Sequence, residues 1–394
     1  MTPEDILKEA DRCVKCGICL PHCPTYLLLE NEADSPRGRI SLIQALASGE
    51  LRDNKPLITH LDRCLACRAC EIACPSGVKY GELIDAGREL LNQRHMTRRI
   101  QGRFFDILSN RQRLYGWLRS YAWLQRSGLT SLAAWLPSAG IRQLLNLGRQ
   151  LPQRPQEIAP LQPASHPTGR LIQLFVGCVS SQTDLALMLA SQHLLARLGY
   201  AVEVPKAQTC CGALHRHNGF QTVAERLCET NRRQLERSRA ECLITLASAC
   251  HLELIEQHQS PLPVVSLVDF LLGLPADTLS NLLPLTQRVA VHIPCTSRKD
   301  RSIELLQRIP QIQLTELADN ELCCGAAGSY LLTQPELSSQ LGRDKIERLE
   351  SAQVEILVTV NTGCALQFRQ QIQAAGLAIE VLHPAELIAR QLKT

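Results

Sequence analysis

The sequence predicts an α+β multi-domain protein: a helical N-terminal domain built around two cysteine-rich loops, then a duplicated α/β unit. Three observations carry that reading. The chain has 394 residues, enough for two or three domains at about 100–200 residues each. Eight of its eighteen cysteines fall into two copies of one run, Cys13-x2-Cys16-x2-Cys19-x3-Cys23-Pro24 and Cys64-x2-Cys67-x2-Cys70-x3-Cys74-Pro75. Two triplets, Cys210-Cys211-Gly212 and Cys323-Cys324-Gly325, each have one cysteine upstream (Cys178, Cys295) and one downstream (Cys250, Cys364). Corresponding cysteines lie 117, 113 and 114 residues apart, the near-constant offset of an internal repeat.

Composition narrows the class. Hydrophobic residues make up 45% and charged residues 20%, which excludes global disorder. A net charge of +4 is too mild to point to nucleic acid, and no nucleic-acid partner is expected. No apolar run reaches the length of a membrane-spanning helix. The start, Met1-Thr2-Pro3-Glu4-Asp5, is acidic and lacks the apolar stretch of a signal peptide. A cytoplasmic location is expected, where thiols stay reduced and cysteines serve metal ligation rather than disulfides.

Residues 1–90 form the first domain. Thr2 is placed to cap a helix that opens on Pro3, with Glu4 and Asp5 at the positive end of its dipole. Ser35-Pro36 repeats that signal, and Gly49 closes the helix it starts. The four-cysteine run ending in Cys-Pro is the ligand pattern of a cubane [4Fe–4S] cluster in bacterial ferredoxins. Three cysteines at intervals of three wrap a tight loop, and the fourth begins a new segment that proline helps to turn. Zinc sites more often pair two cysteines and then leave a long gap. The domain is therefore expected to be ferredoxin-like and to hold two [4Fe–4S] clusters. The ferredoxin precedent implies crossed fourth ligands: Cys13, Cys16, Cys19 and Cys74 on one cluster, Cys64, Cys67, Cys70 and Cys23 on the other.

Residues 91–169 form a basic, aromatic, helical segment and a linker. Residues 88–154 carry twelve arginines against Glu89 and Asp106, and all three tryptophans, Trp117, Trp123 and Trp135. Such a stretch can pack between domains, dock a partner subunit or lie on an anionic membrane surface. Proline-rich residues 152–169 read as the linker into the next domain.

From residue 170 the pattern alternates short apolar runs with helices, which predicts parallel sheets. The first Cys-Cys-Gly repeat covers 170–280, with strands at Leu171–Val176, Ala201–Val204 and Cys242–Leu246. The second covers 281–394, with strands at Val289–Ile293, Ile312–Leu314 and Glu355–Val360. Their cysteines fall in strand-end loops, where α/β folds place their sites. Cys178, Cys210, Cys211 and Cys250, and likewise Cys295, Cys323, Cys324 and Cys364, are candidate ligands for an additional iron–sulfur cluster or zinc ion. Cys228 and Cys242 are expected to pack as small hydrophobes. His215, His217, His251 and His292 stand near these cysteines and are read first as ordinary loop or core histidines, second as ligands or tuning groups.

Two ferredoxin runs followed by two Cys-Cys-Gly repeats resemble the iron–sulfur subunits of the glycolate oxidase, anaerobic glycerol-3-phosphate dehydrogenase and heterodisulfide reductase group. Cys23-Pro24-Thr25-Tyr26, Ser35-Pro36-Arg37-Gly38-Arg39-Ile40, Leu322-Cys323-Cys324-Gly325-Ala326-Ala327-Gly328 and Asn361-Thr362-Gly363-Cys364 carry the resemblance, which is nearest to the glycolate oxidase type. One departure stands out: the reductase type ends each repeat in Cys-x-x-Cys, whereas here Ala247 and Asn361 replace the first cysteine. The resemblance implies an electron-transfer subunit that takes electrons from FAD-containing glycolate oxidase subunits and passes them to a quinone or other acceptor. No catalytic residue is expected on this chain, because no G-x-G-x-x-G fingerprint follows a predicted strand and hydroxy-acid oxidation needs a two-electron acceptor such as flavin. A peripheral position on the cytoplasmic face of the inner membrane is a further expectation. The alternatives are the same role in a glycerol-3-phosphate or lactate dehydrogenase complex, or a thiol–disulfide reductase.

Overall fold

The computed structural model describes residues 1–92, 96–126, 158–165, 169–317, 320 and 322–393. In the N-terminal domain, Thr2 forms a reciprocal capping box with Asp5 at the start of helix Pro3–Ala10. Ser35 and Asn54 cap helices Pro36–Ala47 and Lys55–Asp62, and each of these three helices opens on or next to a proline. Ile6, Ile43, Leu57, Leu61, Leu83, Ile84 and Leu91 pack into one core beneath the cysteine loops. Each such buried side chain contributes about 1.5–3 kcal/mol. Helix Tyr80–Asn92 approaches helix Pro36–Ala47 so closely that a Cβ on Gly87 would lie 2.8 Å from Ile43.

The two repeats have the same topology. In the first, β2 (Leu171–Phe175) lies between β3 (Ala201–Glu203) and β4 (Leu243–Thr245), with β5 (Val264–Ser266) outside β4. In the second, β6 (Arg288–His292) lies between β7 (Gln313–Glu316) and β8 (Ile356–Thr359), with β9 (Glu380–Leu382) outside β8. All these pairings are parallel. The first sheet has one addition: β1 (Leu161–Gln162) pairs antiparallel with β3. Part of the stretch that reads as linker thus belongs to the sheet, because its backbone satisfies an otherwise open edge.

Ile172, Leu174, Ile244, Val289, Val291, Ile356 and Val358 belong to one continuous core that spans both repeats. Leu194 and Leu195 of the first repeat's helix Leu185–Arg197 meet Leu387 and Ile388 of the C-terminal helix Pro384–Gln391 in that core. Beyond residue 92, helices Met96–Ser109 and Arg111–Arg126 account for the described part of the basic segment. Phe105 is buried there, edge-on to His215 and Phe220 of the first repeat, so this part packs between domains. Trp117 and Trp123 are exposed, and Trp135 lies outside the described residues. No described helix is long and apolar enough to cross a membrane.

Candidate iron–sulfur sites

The two N-terminal loops have the same unusual backbone. The second residue after the first cysteine is left-handed in both, Lys15 at φ 56° and Ala66 at φ 50°. So is the residue after the second cysteine, Gly17 at φ 86° and Arg68 at φ 58°. Non-glycine residues rarely adopt this conformation. Its recurrence at matched positions gives both loops the same tight curl.

Cys13, Cys16, Cys19 and Cys74 line one cavity together with Pro36 and Tyr80. Cys23, Cys64, Cys67 and Cys70 line a second together with Arg39 and Tyr80. Cys70 and Tyr80 border both cavities, so the two sites share a wall. Four sulfurs facing one space suit a thiophilic metal cluster. Burial pushes the Cys67 and Cys70 thiols well above the usual thiol range, so a bound metal must displace their protons.

Arg39 belongs to a motif that carries the family resemblance, but no role for it is read from the sequence. It is almost fully buried and donates to His60 O at 2.7 Å, to Thr25 Oγ1 at 3.0 Å and to Asp34 Oδ1 at 3.2 Å. Its guanidinium also reaches the Cys23 sulfur at 3.9 Å. Burial opposes its charge, but Tyr80, Cys64, Cys23 and Asp34 outweigh that and raise its pKa. The sequence signal was there: Arg39 shares the apolar face of its helix with Pro36, Ile40 and Ile43.

Each repeat gathers its four cysteines. The Cys178 and Cys210 sulfurs are 3.2 Å apart, and thiol contacts continue through Cys211 to Cys250. The second repeat has the matching chain Cys295–Cys323–Cys324–Cys364. The glycine after each pair is left-handed, Gly212 at φ 102° and Gly325 at φ 85°. A Cβ on Gly325 would meet Ser338 O at 2.7 Å. Asn361, in place of the missing cysteine, caps helix Thr362–Ala375 and donates to Ser248 Oγ at 3.0 Å and Thr296 Oγ1 at 3.1 Å. It therefore ties the repeats together instead of offering a sulfur. Ala247 precedes helix Ser248–Gln257 and makes no side-chain cap.

The histidines divide. Buried His215 sits between Phe105 and Phe220, 3.4 Å from Asp106, and His217 pairs with Asp85 at 3.1 Å. His251 Nδ1 lies 2.9 Å from Thr245 Oγ1. Only His292 of these four joins a sulfur group: it, Cys324 and Cys364 bring potential ligand atoms within 4.8 Å of one another. Of the two remaining cysteines, Cys242 is in the core as expected, whereas half-buried Cys228 donates to Gln257 O at 3.2 Å.

The second ferredoxin loop is held against both repeats. Cys67 and Leu65 pack with Cys295, Cys323 and Tyr330 of the second repeat. Arg88 donates to Cys64 O and His217 O, both at 2.6 Å. Arg68 donates to both Glu256 carboxylate oxygens at 2.8–2.9 Å. Arg68, left-handed inside the cysteine loop, is thus anchored from the first repeat.

Known proteins share this sequence pattern. A profile described as a 4Fe-4S dicluster domain matches residues 9–78, and one described as a cysteine-rich domain matches residues 172–255 and 289–369. The chain is 32% identical to the glycolate oxidase iron-sulfur subunit of Escherichia coli (strain K12), over 97% of this chain and 94% of that protein. It is 30% identical to the "Probable glycolate oxidase iron-sulfur subunit" of Bacillus subtilis (strain 168), over 96% of this chain and 93% of that protein. A shorter relative is the lactate utilization protein A of Halalkalibacterium halodurans, 25% identical over 57% of this chain and 98% of that protein. With paired cysteine loops, duplicated sheets and end-to-end similarity in agreement, the chain belongs to the family of glycolate oxidase iron–sulfur subunits.

Proposed function

We propose that this chain carries electrons within a glycolate-oxidising complex, from an FAD-containing partner subunit that converts glycolate to glyoxylate toward a quinone or other acceptor. Cys13, Cys16, Cys19 and Cys74 would hold one [4Fe–4S] cluster, and Cys23, Cys64, Cys67 and Cys70 the other. Bound cubanes supply one-electron transfer. The protein's part is to hold them close, shield them and set the charge around them. Pro36, Cys70 and Tyr80 line both sites, so the two are neighbours. Arg39 places a buried positive charge beside Cys23, which favours the reduced, more negative state of a cluster there. Exposed Cys16, flanked by exposed Val14 and Ile18, offers an edge for exchange with the partner.

The observation that carries this reading is the packing of Cys67 against Cys295 and Cys323. It makes one thiol-lined track from the second loop to the second repeat. The missing Cys-x-x-Cys pairs weigh against thiol–disulfide catalysis. Exposed Trp117 and Trp123, on a helix that also carries Arg113 and Arg119, support a peripheral contact with an anionic membrane from the cytoplasmic side. The test is anaerobic purification with the co-purifying subunits, followed by addition of glycolate, lactate or glycerol 3-phosphate. Bleaching of the cluster absorbance by glycolate alone is expected. Bleaching by another substrate and not by glycolate would overturn the substrate, and protein holding zinc without iron would overturn the whole reading.

A further inference from the structure

The repeats are duplicates in fold but not in donor chemistry. Phe175 ends β2 and pairs in register with Thr245, while His292 ends β6 and pairs in register with Thr359. These are the same two places in the two sheets. A phenylalanine offers a metal nothing, whereas an imidazole offers a nitrogen lone pair.

The matching threonines show what each copy does with its histidine. Thr359 Oγ1 lies 3.0 Å from His292 Nδ1, in the second repeat. Thr245 Oγ1 lies 2.9 Å from His251 Nδ1, in the first. His251 comes from the residue after Cys250, and the corresponding place in the second repeat is Ala365. The histidine has therefore changed sides of a retained threonine. In the second repeat it arrives from the central strand, and there it joins Cys324 and Cys364 within 4.8 Å. Phe368 stands edge-on to the ring at 4.8 Å and fixes its plane. A metal-bound histidine usually has its other ring nitrogen held by an oxygen partner, and with Nδ1 on Thr359 Oγ1 the ring keeps Nε2 for the ion.

We propose that the second repeat is a mixed nitrogen–sulfur metal site in which His292 is a ligand alongside Cys324 and Cys364, while the first repeat, with Phe175 in the equivalent place, is sulfur-only. The ion is thiophilic, either zinc or the iron of a cluster, since both accept imidazole with thiolate. Cys295 and Cys323 place this centre against Cys67, so its ligand set bears on what receives electrons from the second loop; that consequence alone rests on the proposed function.

The test uses the full chain, purified anaerobically. Metal analysis comes first. If the metal beyond the N-terminal clusters is zinc, X-ray absorption at the zinc edge should show a nitrogen at about 2.0–2.1 Å beside sulfurs at about 2.3 Å. If it is iron, pulsed EPR on protein labelled with 15N-histidine should show nitrogen coupling. His292→Phe should remove the nitrogen signal, and His292→Cys should retain the metal in an all-sulfur shell. No metal at the repeats, a sulfur-only shell in the wild type, or a nitrogen that survives His292→Phe would each overturn the inference. A sulfur-only wild-type spectrum overturns the inference even if a variant fails to fold, and His292→Cys supplies a second variant for assigning the nitrogen. The EPR signal of the N-terminal cubanes is read in the same samples. Its absence beside an intact nitrogen–sulfur centre would sink the proposed function and leave this inference standing.

Discussion

Arg39 and Asp34 form an ion pair 3.2 Å long with side chains 1% and 0% exposed. The pair lies under the second cysteine site, because the same guanidinium reaches Thr25 and Cys23. Breaking a buried pair by deleting one partner typically costs about 3–5 kcal/mol. Asp34 would keep Arg63 at 3.1 Å, so Arg39→Leu should cost about 3 kcal/mol. It should also lower the reduction potential of the cluster next to Cys23. Chemical denaturation and a redox titration check both, and a loss below about 1 kcal/mol would show the pair to be dispensable.

The crossed ligand arrangement makes a separate prediction. Cys74 lines the cavity of Cys13, Cys16 and Cys19, and Cys23 lines that of Cys64, Cys67 and Cys70. Cys74→Ser should therefore perturb the same EPR signal as Cys16→Ser, and Cys23→Ser the same one as Cys67→Ser. If Cys74→Ser instead tracks Cys67→Ser, each run keeps its own fourth ligand.

Docking of the N-terminal domain on the first repeat should depend on pH. Burial and Arg88 oppose the charge on His217, but Asp85, through its charge and hydrogen bond, with help from Glu253, raises its pKa above the ordinary 6.5. A raised histidine pKa means stabilisation that is full below about pH 6.5 and is lost as pH rises through the folded-state value. Hydrogen exchange at the 215–220 loop should therefore speed up beyond its intrinsic rate as pH rises above about 6.5 through the folded-state value. Asp85→Asn should remove that extra dependence; if it does not, another group is responsible.

Gly325 and Gly212 occupy matched places with unequal room. A Cβ would meet Ser338 O at 2.7 Å in one case and Ala224 O at 3.2 Å in the other. Both substitutions carry left-handed strain of order 1–3 kcal/mol, but only the first adds a backbone clash. Gly325→Ala should lower the melting temperature more than Gly212→Ala. Equal losses would show that strain alone sets the cost.

Much of this protein is legible along the chain. The cysteine runs are local, and the backbone that serves them repeats at Lys15 and Ala66 and at Gly17 and Arg68. The offset of the Cys-Cys-Gly triplets foretells two sheets of one topology. Caps at Thr2 and Ser35 appear where sequence places them. Strands β5 and β9 are harder to see, because three residues at a sheet edge leave too short a pattern to register. Residues 161–162 read as linker because a two-residue edge strand gains its hydrogen bonds only from a neighbour some forty residues away.

The family, the paired loops and the duplication can be read along the chain, since ligand spacing and strand periodicity are properties of a few consecutive residues. Tertiary structure alone decided that Cys67 meets Cys295 and Cys323, that Arg68 reaches Glu256, and that His292 rather than His215, His217 or His251 joins a sulfur group. Those partners are brought together by a core shared between repeats and by hydrogen bonds between domains, and no local pattern encodes which distant surfaces will close on one another.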